Sequence, residues 1–319
     1  MIERTRKIKV TVYSDGRPGH EKQSRALVTA LSRYFTVETN WVMVTKPSVS
    51  FHIVKLICYF LGWGSRQKQT NPGGLIIGTG SATHLPILHQ KKSSGARAVI
   101  CMSPPSYLLS RFDLCCIPSH DNVTEKENVF LTTGPPSLCV DQGVHSLFKG
   151  LILVGGPNAE TDGWYENSIA EAIKQILEVH KSIEWKISSS PRTPTKTEKM
   201  LNQFCDQHEH ATFYTYQETM QGWVEAEYAA CKTVWVTADS VSMVFEALSA
   251  GCRVGIIPVQ WKRNTNKFVK SIQILEEQGR VFSLTKGLDQ KVNDTPEPEL
   301  LNEADRCARE IIRRWWSKT

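Results

Sequence analysis

Two successive α/β domains, each a Rossmann-like parallel sheet covered by helices, are what this sequence predicts, and three observations predict them. Short apolar runs of strand length alternate with helical stretches nearly throughout the chain. Such alternation gives a parallel sheet with helices on both faces. The alternation breaks once, in the polar, glycine-containing stretch Val140–Lys149, and restarts with LILVGGPN at Leu151. The 319 residues divide there into two pieces of ordinary domain size. The expected domains are therefore residues 1–148 and 149–300, with 301–319 as a C-terminal helix packing back on the first. Ligands of open α/β sheets lie beyond the carboxyl ends of the strands, which makes a cleft between the two domains the expected site.

The elements follow in order. Lys7–Tyr13 reads as the first strand; the loop DGRPGH and an amphipathic helix from about Glu21 to Tyr34 come next. Phe35–Val44 is a second strand. Leu75–Ile77 is a short buried strand that ends in Gly78-Thr79-Gly80, followed by a helix through His84–His89. Ala98–Met102 and Phe112–Ile117 complete the strands of the first half. In the second half a helix over about Trp164–His180 follows the strand at Leu151, and Ile183–Ser188, Thr212–Tyr214, Val234–Thr237 and Arg253–Pro258 are strands. A helix over Val241–Ala250 separates the last two, and a helix from about Pro298 to Trp316 ends the series.

Composition narrows the class. Hydrophobic residues are 40% and charged residues 22% of the chain, as in ordinary globular proteins. The net charge of +6 and pI of about 8.8 favour anionic partners such as nucleotide phosphates, acidic glycolipids or a membrane surface. No RNA- or DNA-binding signature accompanies that charge, so nucleic acid is not an expected partner. Nine cysteines occur without CxxC spacing, which argues against zinc and for reduced thiols in a cytosol. The start MIERTRKIKV has no signal-peptide core. The expected location is cytoplasmic, with peripheral contact to the inner face of a membrane.

That contact rests on FHIVKLICYFLGW, residues 51–63. The run is too short to span a bilayer, which needs ~20 apolar residues. On length alone it is a buried helix. The functional alternative is a helix that touches lipid with Phe51, Ile53, Leu56, Tyr59 and Phe60, while Lys55, Arg66 and Lys68 meet anionic headgroups.

The most informative stretch is VWVTADSVSMVFEALSAGCRVGIIP, Val234–Pro258. A buried strand ends at Thr237, and Asp239 or Ser240 is the expected cap of the next helix. The N-terminus of that helix suits a diphosphate, because unpaired N–H donors and a partial positive charge gather there. Ser242 and Glu246 share one helix face, separated by ~6 Å along the axis at a rise of ~1.5 Å per residue. Phosphates near Ser240 and Ser242 would leave a ribose within reach of Glu246, whose carboxylate can accept from two hydroxyls. Gly251 is the expected left-handed cap at the other end.

Other loops at strand ends carry polar chemistry. Gly155 and Gly156 allow backbone N–H groups to approach a sugar or diphosphate. Ser188, Ser190 and Arg192 follow the next strand and offer hydroxyls and a forked cation to phosphate. In DGRPGH, Gly16 and Gly19 permit close approach, Pro18 stiffens the turn, and Arg17 can hold an anion. Pro118-Ser119-His120-Asp121 also ends a strand. No Asp-x-Asp pair stands at a strand end, so no metal is expected.

Several of these motifs, taken together and in order, resemble a known family. Ser242, Glu246, Ala247, Gly251 and Pro258 are similar to the S-x-x-x-E-A…G…P signature of GT-B glycosyltransferases. TADSVSM resembles the hallmark of the mitochondrial-fission (elongated-mitochondria) family, which includes plant fission proteins and bacterial outer-core glycosyltransferases. DGRPGHEKQS (Asp15–Ser24), FDLCCIPSHD (Phe112–Asp121), NVFLTTGPP (Asn128–Pro136) and LVGGPN (Leu153–Asn158) match that family in sequence order, over almost the whole chain. Two departures stand out. SSSPRTP keeps Arg192 but has Pro191 where the family shows arginine, and Ser81-Ala82-Thr83 lacks the arginine that usually follows Gly78-Thr79-Gly80.

The resemblance implies a metal-independent GT-B glycosyltransferase, with a nucleoside-diphosphate sugar as co-substrate and no cofactor. Its donor would sit on the second domain at Gly155, Gly156, Ser188, Ser190, Arg192, Ser240, Ser242 and Glu246. A glycan or lipid-linked acceptor, of lipopolysaccharide-core type, would meet Arg17, Gly19, Gly78, Gly80 and His120 on the first. His20, Asp15 and Asp121 are the candidates for the base that takes the acceptor proton. Two alternatives stay open: a non-catalytic fission adaptor that recruits a dynamin-like GTPase, and a sugar-nucleotide epimerase.

Overall fold

The computed structural model describes residues 6–45, 49–61, 73–121, 123–124, 126–284 and 299–316. The chain folds as two compact units, Met1–Leu138 with Asn302–Thr319, and Cys139–Leu301.

The first unit is built on a six-stranded, all-parallel sheet in the order β2-β1-β3-β4-β5-β6. Its strands are β1 (Lys7–Ser14), β2 (Thr36–Met43), β3 (Leu75–Gly78), β4 (Arg97–Ile100), β5 (Leu114–Pro118) and β6 (Val129–Thr132). Helices α1 (Pro18–Leu31), α2 (Val49–Leu61), α3 (His84–Ser94) and the short α4 (Ser106–Leu109) lie between them. Strands β3 and β5 read as unbroken apolar runs because helices cover both faces of the sheet. Leu75 and Ile77 pack with Leu27 and Leu31 of α1, while Ile76 between them points to Leu85 and Leu88 of α3.

The second unit repeats the plan with the order β12-β11-β10-β7-β8-β9, again all parallel. Its strands are β7 (Ser146–Leu153), β8 (Glu184–Ser188), β9 (Ala211–Tyr214), β10 (Cys231–Thr237), β11 (Arg253–Ile257) and β12 (Val281–Ser283). The helices are α5 (Glu166–Val179), α6 (Thr195–Cys205), α7 (Trp223–Ala230), α8 (Val241–Ser249) and α9 (Lys267–Glu277). Ile169, Ile173 and Ile176 of α5 recur at helical spacing and are buried against Ile152 and Ile187 of the sheet.

A last helix, α10 (Glu303–Trp315), belongs to the first unit. Ala304, Cys307, Ala308 and Ile311 form its apolar stripe and enter the core beside Val10 and Val12 of β1. Tyr34 donates to Asp305 Oδ1 at 2.8 Å, and Arg314 donates to the Glu127 carbonyl at 2.7 Å, which fixes the helix against α1 and the β6 edge.

Three expectations need correction. The polar stretch expected to separate the domains at 148/149 contains the start of β7, whose Ser146 pairs with Cys231; the units divide after Leu138. Polarity misled there because the first half of this strand lies at the surface, its Leu147 and Phe148 exposed. Residues 51–61 are helical, but Tyr59 is buried and Leu56 packs under α3, so neither can face lipid. Ile53 and Phe60 are exposed as expected, together with Val54, Ile57 and Leu61. Gly62, Trp63, Arg66, Lys68 and the Phe51 side chain lie outside the described residues. Among the described residues no helix is long and apolar enough to cross a membrane.

Candidate active site

Strand order decides where polar loops gather. In the first sheet the chain runs outward from β1 to β2 on one side and to β3 on the other, so β1 and β3 flank the point where the winding reverses. In the second sheet β7 and β10 flank the equivalent point. Loops leaving the carboxyl ends of such a pair diverge and open a crevice. Each unit gathers one polar cluster there.

In the first unit the cluster is Asp15, His20 and Gly80. Asp15 leaves β1 with its carboxylate largely buried, its side chain 8% exposed. His20 Nδ1 lies 2.9 Å from Asp15 Oδ2 and 3.1 Å from Oδ1. An ionised carboxylate only accepts, so the ring N–H at Nδ1 is the donor of this bond and Nε2 points away from it. Pro18 opens α1, which sets His20 in the first turn, earlier than the Glu21 start expected. Gly80 floors the pair from the loop after β3. Its φ is +100°, and a Cβ there would stand 2.4 Å from His20 Nδ1 and 2.6 Å from Asp15 Oδ2. Only glycine permits both that backbone and that approach. The Gly80 loop is itself tied down, with Thr83 Oγ1 donating to the Gly80 carbonyl at 2.7 Å.

Beside this cluster, a cavity of about 220 Å³ is lined by Met43, Thr45, Lys55, Ala82 and Leu85. It connects the end of β2 with α2 and the start of α3. Met43 Cε also lies 3.4 Å from the Cβ position of Gly16, so the cavity abuts the Asp15–Gly16 loop.

The other residues expected here serve differently. Arg17 is mostly exposed, with Nε 4.0 Å from Asp15 Oδ2. Gly19 has nothing within 4 Å of its Cβ position and no positive φ, so the fold does not require glycine there. Gly78 is a packing residue, because a Cβ would stand 2.6 Å from Ile87 Cδ1. Asp121 and His120 share a single helical turn after β5, 3.7 Å apart. Strand β5 lies three positions from β1, roughly 14 Å at ~4.8 Å per strand, so Asp121 does not join the Asp15–His20 pair.

In the second unit the cluster centres on Asp239, whose side chain is fully buried. Its Oδ2 accepts from Arg192 Nη2 at 2.7 Å, from Gly156 N at 3.0 Å and from Ser240 Oγ at 3.1 Å. Arg192 Nη1 also donates to the Gly156 carbonyl at 2.5 Å, and Nη2 to Ser240 Oγ at 3.1 Å. Among the described residues Asp239 Oδ1 has no hydrogen-bond partner, although it is buried. This network joins the loops after β7, β8 and β10 into one surface at the start of α8.

Several expectations are corrected by it. Neither Asp239 nor Ser240 caps α8 by its side chain; both turn to Arg192 instead, which leaves the helix N-terminus uncapped from within. The Gly155 and Gly156 N–H groups are occupied by Thr237 Oγ1 at 2.8 Å and Asp239 Oδ2, so they bind the loop rather than a ligand. Glycine at 155 is needed because a Cβ would stand 2.2 Å from Asp239 Oδ2. Ser188 and Ser190 are buried; Ser188 Oγ donates to the Ser189 carbonyl, and Ser190 Oγ meets Thr193 Oγ1 at 3.1 Å. Their hydroxyls build the turn that aims Arg192. Arg192 remains 41% exposed and keeps donors for an anion.

Ser242 is exposed and Glu246 half-buried on the face of α8 that the core leaves open. Burial, and then the Glu246 charge, push the Tyr228 phenol well above its usual range, which sets the carboxylate close to that ring. Gly251 has φ +85° and ends the helix as expected. Sequence reasoning missed Asp239 as the hub, because a short polar residue before a helix reads as a cap. Among the described residues no group of three or more His, Cys, Asp or Glu side chains is arranged to hold a metal.

Two Rossmann-like units in one chain, each with polar residues collected where its strand order reverses, define a protein of the GT-B fold. Residues 18–315 match the mitochondrial fission ELM1 family, and the chain belongs to that family. Solved structures with the same fold include one assigned as a UDP-N-acetylglucosamine 2-epimerase from Listeria monocytogenes, at 13% identity and a TM-score of 0.58 over 98% of each chain. S. aureus MnaA solved with UDP is 15% identical, with a TM-score of 0.53 over 96% of each chain. A UDP-glucosyltransferase from Polygonum tinctorium capable of glucosylating indoxyl is 8% identical, with a TM-score of 0.53 over 98% of this chain and 99% of that one. At such identities the likeness is one of fold. A comparison of the sequence with curated proteins gives no match.

Proposed function

We propose that the chain is a glycosyltransferase that moves a sugar from a nucleoside-diphosphate sugar to a hydroxyl of a glycan or lipid-linked glycan, of the lipopolysaccharide-core kind. The observation that carries this reading is the Asp15–His20 pair, a base whose Nδ1 is held by a buried carboxylate and whose Nε2 is left to act. His20 Nε2 takes the proton of the acceptor hydroxyl as its oxygen bonds to the anomeric carbon. The bond from that carbon to the β-phosphate oxygen breaks, and the electron pair leaves with the nucleoside diphosphate. Asp15 stabilises the imidazolium that forms. Arg192 and the uncapped start of α8 meet the charge on the departing diphosphate, a role that a metal ion fills in other transferases. Glu246 accepts from the ribose hydroxyls.

The test is product analysis with a panel of nucleoside-diphosphate sugars. A transferase releases one nucleoside diphosphate for each sugar moved, and His20→Ala stops the release while leaving nucleotide binding intact. An altered sugar still attached to its nucleotide identifies an epimerase instead. No turnover and no nucleotide binding leave a fission adaptor that recruits a dynamin-like GTPase, and overturn the proposal.

A further inference from the structure

Helix α2 is amphipathic the wrong way round for a helix of a water-soluble surface. Its core-facing side carries Lys55, Leu56 and Tyr59, with Tyr59 only 4% exposed. The side turned to solvent carries Ile53, Val54, Ile57, Phe60 and Leu61, exposed by 50, 54, 51, 48 and 67%. At 100° per residue these five positions span a sector of about 120°, with Ile57 at its centre. Five large apolar side chains turned to solvent along one helix mark a surface that is covered when the protein works.

Charge says what covers it. Between Glu38 and Asp113 the chain has no acidic residue, yet it carries Lys46, Lys55, Arg66, Lys68, Lys91, Lys92, Arg97 and Arg111. Seventy-four consecutive positions, 39–112, thus hold eight cations and no anion, in a chain with 32 acidic residues in all. Two of those cations stand at the C-terminal end of α2. The Arg111 guanidinium lies 5.3 Å from the Phe60 ring centroid, and Lys92 Nζ donates to the Tyr59 carbonyl at 2.5 Å while resting 3.7 Å from its ring. The acid that follows Arg111 in sequence, Asp113, is engaged by Lys91 at 3.0 Å and Arg97 at 3.8 Å. Among the described residues neither Lys92 nor Arg111 forms an ion pair. Burial and then the Arg111 charge lower the Lys92 pKa, so an anion brought to the pair would relieve both.

We infer that this face docks on an anionic lipid bilayer, with Ile53, Ile57, Phe60 and Leu61 inserted at the acyl boundary and Lys92 and Arg111 on headgroup phosphates. An apolar stripe rimmed by cations is the composition of an interfacial helix, and neither half alone would hold. A protein partner would have to supply an apolar groove with an acidic rim; a bilayer supplies both as a matter of course. The geometry also gives the docking a purpose. Lys55 lies on α2 and lines the cavity that abuts the Asp15–Gly16 loop, so an acceptor anchored in the bilayer enters beside the catalytic pair. This deepens the acceptor side of the transferase reading, and only that last link rests on it.

The experiment is vesicle flotation of the full chain, without nucleotide, on phosphatidylcholine alone and on phosphatidylcholine with about a third phosphatidylglycerol. Binding is expected only with phosphatidylglycerol, and it should fall as salt rises toward ~1 M. Ile53→Glu and Ile57→Glu should each lower partitioning by about tenfold, and Arg111→Glu by about fivefold or more. All three sites are exposed, so thermal melts should match the parent chain, and nucleotide-induced shifts should persist. No binding, or binding unchanged in all three variants, overturns the inference. So does a concentration-dependent dimer that Ile57→Glu dissolves in a protein that ignores vesicles, because the stripe would then be a contact between copies. Nucleotide binding read in the same preparations separates a failed membrane site from a failed transferase.

Discussion

Arg192 and Asp239, 47 positions apart in the chain, meet at 2.7 Å and fasten the loop after β8 to the start of α8. The carboxylate has no contact with water, so it depends on that guanidinium, on the Gly156 N–H and on the Ser240 hydroxyl. Arg192→Ala leaves a buried acceptor charge short of its main partner. We expect a loss of about 1–3 kcal/mol, because the 41% exposure of Arg192 lets water fill the gap in part. Urea melts measure it. The double variant Arg192→Ala/Asp239→Ala should lose clearly less than the two single losses added, and full additivity would show that the pair is not coupled.

Turnover should depend on Asp15 through His20. Asp15→Asn keeps the size of the side chain but lets its amide donate to Nδ1, which places the imidazole proton on Nε2 and removes the base. Turnover is expected to fall by about 10²–10⁴, with nucleotide affinity unchanged. Equal activity in Asp15→Asn and the parent would assign the base elsewhere.

Gly80→Ala is expected to be damaging without touching any charge. Alanine resists a φ of +100°, and its methyl would stand 2.4 Å from His20 Nδ1. Strain of that kind costs about 1–3 kcal/mol, and the displaced imidazole should cost more in turnover than in stability. Gly19→Ala is the control: its Cβ position is open, so the melt should be unchanged or slightly improved.

Nucleotide binding should report on Glu246. A saturating nucleoside diphosphate raises the melting temperature of a protein that binds it, and Glu246→Ala should need roughly tenfold or more ligand for the same shift. An undiminished shift in the variant removes the ribose contact.

Thiol chemistry gives a pH dependence. Burial pushes Cys115, Cys205 and Cys231 up to about 12 from an ordinary 9.0. A folded-state pKa above the unfolded value means the unfolded chain loses its thiol protons first as pH rises. The stabilising share of these groups is therefore complete below about pH 9 and declines between there and about pH 12. Denaturant midpoints should drop progressively over that range. At pH 8 a thiol reagent should titrate Cys58 and Cys139, which are partly exposed, and reach the seven buried thiols only after unfolding.

What the sequence showed plainly was periodicity. Leu75–Ile77 and Leu114–Ile117 have no polar residue to blur them, and the Val234–Pro258 stretch displays strand, helix and strand in full. Helices α6 and α7 do not stand out in the sequence: Trp223–Ala230 has weak apolar spacing, and Thr195–Cys205 buries Thr197, Leu201 and Cys205, of which only Leu201 is a large apolar side chain. At the site, the Asp15–His20 pair could be suspected because both residues sit in one loop. The Arg192–Asp239 bond could not, because only the sheet order brings the ends of β8 and β10 to opposite sides of β7. For the same reason Asp121, equally plausible as a motif, proves to be remote.

The position of α10 has a consequence for how the protein is made. The ribosome produces β1 long before α10, so the core around β1 stays open until Cys307, Ala308 and Ile311 have emerged. Residues 139–301 have by then been synthesised as an uninterrupted unit and can fold on their own schedule. The first unit is thus completed only after the whole second unit has been made, and its apolar sheet stays uncovered along β1 until then.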